Sequence, residues 1–191
     1  MHPLMTMSVP QGKVAIHWFG QSTYALKNAA GTIVLIDPYF PRERTADRFV
    51  HLESPLDEAT LKPDVVLLTH NHTDHTFPES ITRIQKAHQG VKYIGPYESI
   101  DNARSSGVPG SQCKIVHAGD SFDMGTMKAH TVYSKPPEGL PQDGIDKPDV
   151  THLGYVIETG DVTVYISGDP VNTFGNHRQI AWPEDSGARA L

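Results

Sequence analysis

Apolar and polar residues alternate in short runs through the first third of the chain, which is the period of strands. "KVAIHWFG" (13–20), "TYALKN" (23–28) and "TIVLID" (32–37) are rich in β-branched and aromatic residues and are separated by Gly and Asn signals. The short "AAG" between the last two predicts a hairpin. Residues 38–63 read as a long loop with a short helix near its end. "DVVLLT" (64–69) is almost continuously apolar and suits a strand buried on both faces. The spacing then becomes helical over "PESITRIQKAHQG" (78–90). There Ile81, Ile84 and Ala87 or His88 share one stripe, Pro78 opens the helix and Gly90 stops it. A strand at 91–95 and a short helix at 97–107 complete a β-loop-α-β-α unit. Strand spacing returns at 113–118, 120–125 and 126–134. Residues 135–150, with four prolines, predict a long mobile loop of the kind that shapes a binding site. "LGYVIET" (153–159) and "VTVYISG" (162–168) predict a second hairpin around "TGD". No internal repeat or low-complexity block interrupts this order.

Composition narrows the picture. A chain of 191 residues suits one domain, here 13–191, preceded by an extended segment 1–12 and ending in a short mixed tail, 170–191. A formal net charge of −6 and a pI of about 6.0 argue against a nucleic-acid binder held by a basic face. The single Cys113 excludes an intrachain disulfide and a thiolate-cluster metal site. No run approaches the roughly 18 apolar residues of a membrane span, and the start lacks the basic flank and apolar stretch of a secretion signal. The expectation is a soluble cytoplasmic protein with no membrane or nucleic-acid partner. Histidine, at eleven residues, is the one unusual count.

Four of the chain's ligand-type residues crowd into "HNHTDH". His70, His72, Asp74 and His75 follow directly on the buried strand. His70 and His72 alternate on an extended backbone and project to the same side. Asp74 and His75 lie further round the turn, so two groups of donors arise close together but aimed differently, as a pair of cations requires. Imidazole and carboxylate without thiolate suit Zn, Mn, Fe or Co. The bland alternative, a polar turn with incidental histidines, does not account for such crowding. The second hairpin offers further donors. If Glu158 opposes Val162, then His152 faces Gly168, the neighbour of Asp169 in "SGDP", and the two donors emerge side by side. His130, midway along a strand, competes with His152 as third imidazole, and the pairing geometry favours His152. His17, His51, His88, His117 and His177 are isolated and read as structural.

"HNHTDH" is an instance of His-x-His-x-Asp-His, and the chain resembles a metallo-β-lactamase-fold hydrolase over most of residues 13–170. The order "IHWFGQSTYAL", "TIVLIDPYF", "HNHTDH", "HLGYVIE", "VTVYISGDP" is similar to the branch of ascorbate-6-phosphate lactonase and related small-molecule hydrolases. The resemblance implies an α+β fold, a metallo-β-lactamase-like αββα sandwich, with metals at one edge. By position it implies His70, His72 and His152 on a first metal, Asp74 and His75 on a second, and Asp169 as the bridge. A metal-bound hydroxide would attack the substrate, with Asp74 orienting it or relaying its proton. Asp37, in "LIDP", could support the site from behind, and a strand-end turn carboxylate is the equal alternative. The pattern departs from the family after Asp169. The family continues with further strands, helices and a last metal-binding histidine, whereas His177 follows too soon to match. The C-terminal half reads as shortened, and an edge left by missing strands would favour pairing with another copy.

The expected function is a metal-dependent hydrolase of a small ester, lactone or phosphate-containing substrate, carrying one or two divalent ions, zinc foremost and Mn or Fe as alternatives. The competing expectations are a phosphodiesterase or nuclease of the same fold, and a non-catalytic metal-binding remnant.

Overall fold

The computed structural model describes residues 1–49, 51–134 and 151–169. The predicted loop at 135–150 and the tail from residue 170, with His177, lie outside the described residues.

Among the described residues, ten strands form two sheets. In the first, β1 (Val14–Trp18), β2 (Tyr24–Asn28) and β3 (Ile33–Ile36) pair antiparallel as a meander. Strands β4 (Val65–Leu67), β5 (Lys92–Gly95) and β6 (Cys113–Ile115) then add in parallel, giving the order β1-β2-β3-β4-β5-β6. Every residue of β3 and β4 is buried, as their unbroken apolar runs require of strands covered on both faces. The second sheet is antiparallel throughout, in the order β10-β9-β8-β7, from β7 (Ser121–Met124), β8 (Met127–Tyr133), β9 (Leu153–Thr159) and β10 (Val162–Ile166).

Two apolar layers hold the stack. Between the sheets, Leu26, Val34, Ile36 and Leu67 meet Phe122, Met124, Leu153, Tyr155 and Ile157. On the outer face of the first sheet, α2 (Pro78–Ala87) and α3 (Tyr97–Ser105) bury Ile81, Ile84, Ile100 and Ala103 against Leu35, Val66 and Tyr93. Pro78 occupies the first turn of α2, where its missing N–H would have no partner in any case. Among the described residues the layers run helix, sheet, sheet, and none of these helices is long and apolar enough to cross a membrane.

Three local expectations need adjusting. The first twelve residues are not wholly extended: Pro3–Thr6 form one helical turn, α1. The buried Lys27 ammonium donates to the carbonyls of Leu4 (2.6 Å) and Met7 (2.8 Å) and so ties this segment to β2. The helix near the end of the 38–63 loop is a single 3₁₀ turn, Glu58–Thr60. In the second hairpin Val162 pairs with Thr159, not Glu158, because only Gly160 and Asp161 form the turn. The strand ends at Ile166, and Gly168 and Asp169 then take positive φ, so the turn rather than the strand register sets where Asp169 stands.

Candidate metal centre

The ends of β3, β4, β9 and β10 meet at one place. Beyond β4, Thr69 is the hub. Its N–H donates to Asp37 Oδ1 at 2.8 Å and its hydroxyl to Asp37 Oδ2 at 2.6 Å. Its carbonyl accepts from Leu153 N–H at 3.0 Å, which fastens the start of β9 to the end of β4 across the sandwich. Tyr155 O–H adds a second tie, donating to the Leu68 carbonyl at 2.7 Å. These bonds carry His152 from the second sheet to His70 on the first.

Four imidazoles result, packed against one another. The His70 ring centroid lies 3.9 Å from that of His75, 4.1 Å from His152 and 4.5 Å from His72. His70, His75 and His152 are buried, and His72 is exposed. Their donor atoms form two groups that share His70: His70 with His72 and His152, and His70 with His75 and Asp169, each within 4.8 Å. His70 Nε2 and His72 Nδ1 are 3.0 Å apart, close to the roughly 3.3 Å between two nitrogens on one tetrahedral zinc. Buried imidazoles at this spacing cannot all carry protons, because their charges would repel without solvent screening. The donor set therefore fits divalent cations.

Asp74 sits in neither group. Its carboxylate is half exposed and lies 3.9 Å from His75 Nε2. His130 is elsewhere: on β8 it meets Ser121 Oγ at 2.8 Å and Glu158 at 3.4 Å, away from both groups. Among the isolated histidines, His88 meets the Glu58 carbonyl at 2.7 Å and His117 faces Asp120 at 3.6 Å.

Asp37 is placed behind His75. Its Oδ2 lies 2.8 Å from His75 Nδ1, so the carboxylate accepts the Nδ1 proton and leaves Nε2 facing the donors. Burial opposes protonation of His75, yet the hydrogen bond and charge of Asp37, with the charges of Asp74 and Asp169, raise its pKa above the usual value. Burial raises the Asp37 carboxyl, against the lowering effect of hydrogen bonds from His75 and Thr69.

Sequence reasoning passed over the β1–β2 turn as a source of site residues. Ser22 Oγ lies 3.4 Å from His75 Nε2, beside Gln21 at the rim of a cleft of about 390 Å³. Backbone strain is the signal that finds it. The non-glycine residues with positive φ among those described are Gln21 (49°), Asp37 (45°) and Asp169 (23°), and all three line this cleft. Such conformations cost on the order of 1–3 kcal/mol each and gather at functional sites. Gly168, at φ +65°, is required where it stands, since an added Cβ would run into the Leu153 carbonyl oxygen.

Residues 15–183 match the Beta-lactamase superfamily domain. A UPF0173 metal-dependent hydrolase of Pyrobaculum calidifontis is 32% identical over 154 residues, covering 81% of this chain and 60% of the relative. The chain thus spans about three-fifths of the length of that relative. In fold it is similar to a diiron beta-hydroxylase from Streptomyces venezuelae (TM-score 0.60, 19% identity, 84% of this chain and 30% of the other). It is also similar to a metallo hydrolase from Ignicoccus hospitalis (TM-score 0.54, 19% identity, 82% and 60%).

Proposed function

The chain belongs to the Beta-lactamase superfamily domain family, and from that premise we propose that it is a metal-dependent hydrolase of a small ester, lactone or phosphate-containing substrate. The observation that carries the reading is the pair of donor groups that share His70, one with His72 and His152 and one with His75 and Asp169, the last two of which line a cleft. The name of the Pyrobaculum relative supports it. Zinc is the cation proposed first for donors of imidazole and carboxylate alone, and Mn or Fe would suit them too.

Bound there, a divalent ion would polarise the scissile group and lower the pKa of water. The chain's own residues prepare the ground. Asp37 fixes the His75 tautomer, and Thr69 holds Asp37 through two hydrogen bonds. The Ser134 hydroxyl donates to the Ser167 carbonyl at 2.5 Å and secures the turn that presents Asp169. Asp74, half exposed beside His75, is placed to exchange a proton between the site and solvent.

The test is elemental analysis together with hydrolysis assays on purified protein. One to two first-row ions per chain are expected, and His70→Ala, which removes the imidazole shared by both groups, should lose the metal and turnover together. Protein that folds and binds no such ion would refute the reading.

A further inference from the structure

Asp37 holds one donor, His75, through its ring. His70 and His72 are held through their peptides, and one residue holds both. Thr76 stands directly after His75. Its N–H donates to the His72 carbonyl at 2.8 Å, and its hydroxyl donates to the His70 carbonyl at 2.7 Å. The same hydroxyl lies 3.0 Å from Ser99 Oγ on α3. Thr76, Ser99 and His70 are all buried. No solvent is at hand to replace these acceptors, so turning the hydroxyl away would strand a buried polar group. The β-branched side chain also has few rotamers to choose from.

The helix α3 offers a polar stripe to the donor turn. Ser99 and Asn102, one turn apart, reach it, while Ile100 and Ala103 pack into the core beneath. Asn102 Nδ2 donates to Asn71 Oδ1 at 2.7 Å, on the residue between the two histidines. The helix thus touches the turn at Asn71 and at Thr76. A carbonyl pinned in this way fixes the ψ of its own residue. With the His70 and His72 carbonyls both fixed, the two rings have fewer ways to part, and His70 Nε2 stands 3.0 Å from His72 Nδ1. Donors locked by their surroundings lose less freedom when they take a ligand. We infer that Thr76 is the positioning residue of the first donor group, keeping the His70 and His72 imidazoles together beside His152 through the peptides of the two histidines. This rests on the metal-centre reading and deepens it: the second group has Asp37 behind it, and the first has Thr76 on α3.

The experiment isolates the hydroxyl twice. Thr76→Val removes it and keeps the side-chain shape, and Thr76→Ser differs from Thr76→Ala by the hydroxyl alone. Zinc affinity is measured by competition with a fluorescent chelator, ligand geometry by the visible absorption of bound cobalt(II), and folding by circular dichroism. Thr76→Val should weaken zinc about tenfold, the low end of the usual penalty for losing a group that orients metal ligands. Thr76→Ala should fall below Thr76→Ser by a similar factor, and Thr76→Ser should stay near the unsubstituted chain. The cobalt band should shift in Thr76→Val and Thr76→Ala and not in Thr76→Ser, a rescue that loosened packing would not give. Thr82→Val is the control. It removes a hydroxyl that ties α2 to the Ser106 carbonyl at the end of α3, at 3.1 Å, away from the donor turn, and should leave affinity and band unchanged. Equal zinc affinity within both pairs, or a loss in Thr82→Val as large as in Thr76→Val, would overturn the inference. If Thr76→Val does not fold, the serine and alanine variants decide it. If the unsubstituted chain binds neither ion, the metal-centre reading fails and takes the role of Thr76 with it. If the chain binds both ions and the pairs match, that reading stands and Thr76 alone loses its role.

Discussion

Replacing Asp37 with asparagine changes one atom and should reverse a tautomer. The carboxylate is 1% exposed and accepts three hydrogen bonds: from Thr69 N–H (2.8 Å), Thr69 O–H (2.6 Å) and His75 Nδ1–H (2.8 Å). An asparagine can keep its oxygen toward the Thr69 N–H. Its NH2 group then faces the Thr69 hydroxyl, which can rotate to accept, and His75 Nδ1, which can accept only by giving up its proton. The proton moves to Nε2, the nitrogen that faces Asp169 and Ser22, and an N–H there cannot ligate. A charge-assisted bond worth about 1.5–3 kcal/mol is replaced by a neutral one worth about 1, so the metal-free protein should lose roughly 0.5–2 kcal/mol. Metal affinity should fall 10- to 100-fold, the usual penalty for removing the group that orients a ligand histidine. The assay is competition for zinc against a fluorescent chelator, alongside thermal unfolding and nitrogen NMR of the His75 ring. Zinc affinity within twofold of the unsubstituted chain, with Nε2 still unprotonated, would refute the reasoning.

Three further outcomes follow from the same structure. The pKa of His75 is raised above 6.5. In metal-free protein its stabilising contribution is therefore full below about pH 6.5 and is lost as pH rises through the folded-state value. Zinc affinity should run the opposite way, strengthening over that window as the proton leaves, and melting and zinc titrations from pH 5.5 to 8.5 would show whether the slopes oppose. Gly168→Ala forces a side chain into the left-handed region and against the Leu153 carbonyl. It should cost more than about 1 kcal/mol and lower the metal content by moving Asp169, and an unchanged melting temperature would contradict this. Tyr155→Phe removes the bond to the Leu68 carbonyl between the sheets and should cost about 1 kcal/mol in denaturant unfolding with little loss of metal.

The local grammar of this protein is legible in its sequence because it depends on near neighbours. The apolar run after Pro63 becomes β4, buried on both faces, and the stripe of Ile81 and Ile84 behind Pro78 becomes α2. The crowding of His70, His72, Asp74 and His75 is likewise a property of the chain itself. What lies across the sandwich is not. Hairpin pairing in the sequence favours His152 over His130 without excluding His130, and packing shows that Ala129 and Thr131 turn inward while His130 turns toward Ser121 and Glu158. The hairpin register differs by one residue from the spacing the sequence suggests, and because strand period is two such a slip reverses the face of every side chain in β10. The Asp37–Thr69–His75 network and the approach of Ser22 join residues up to 53 positions apart. Sequence therefore determined the elements and the donor-rich turn. The tertiary structure alone decided which donors meet and which carboxylate orients them, because those depend on long-range hydrogen bonds and sheet packing that no local pattern encodes.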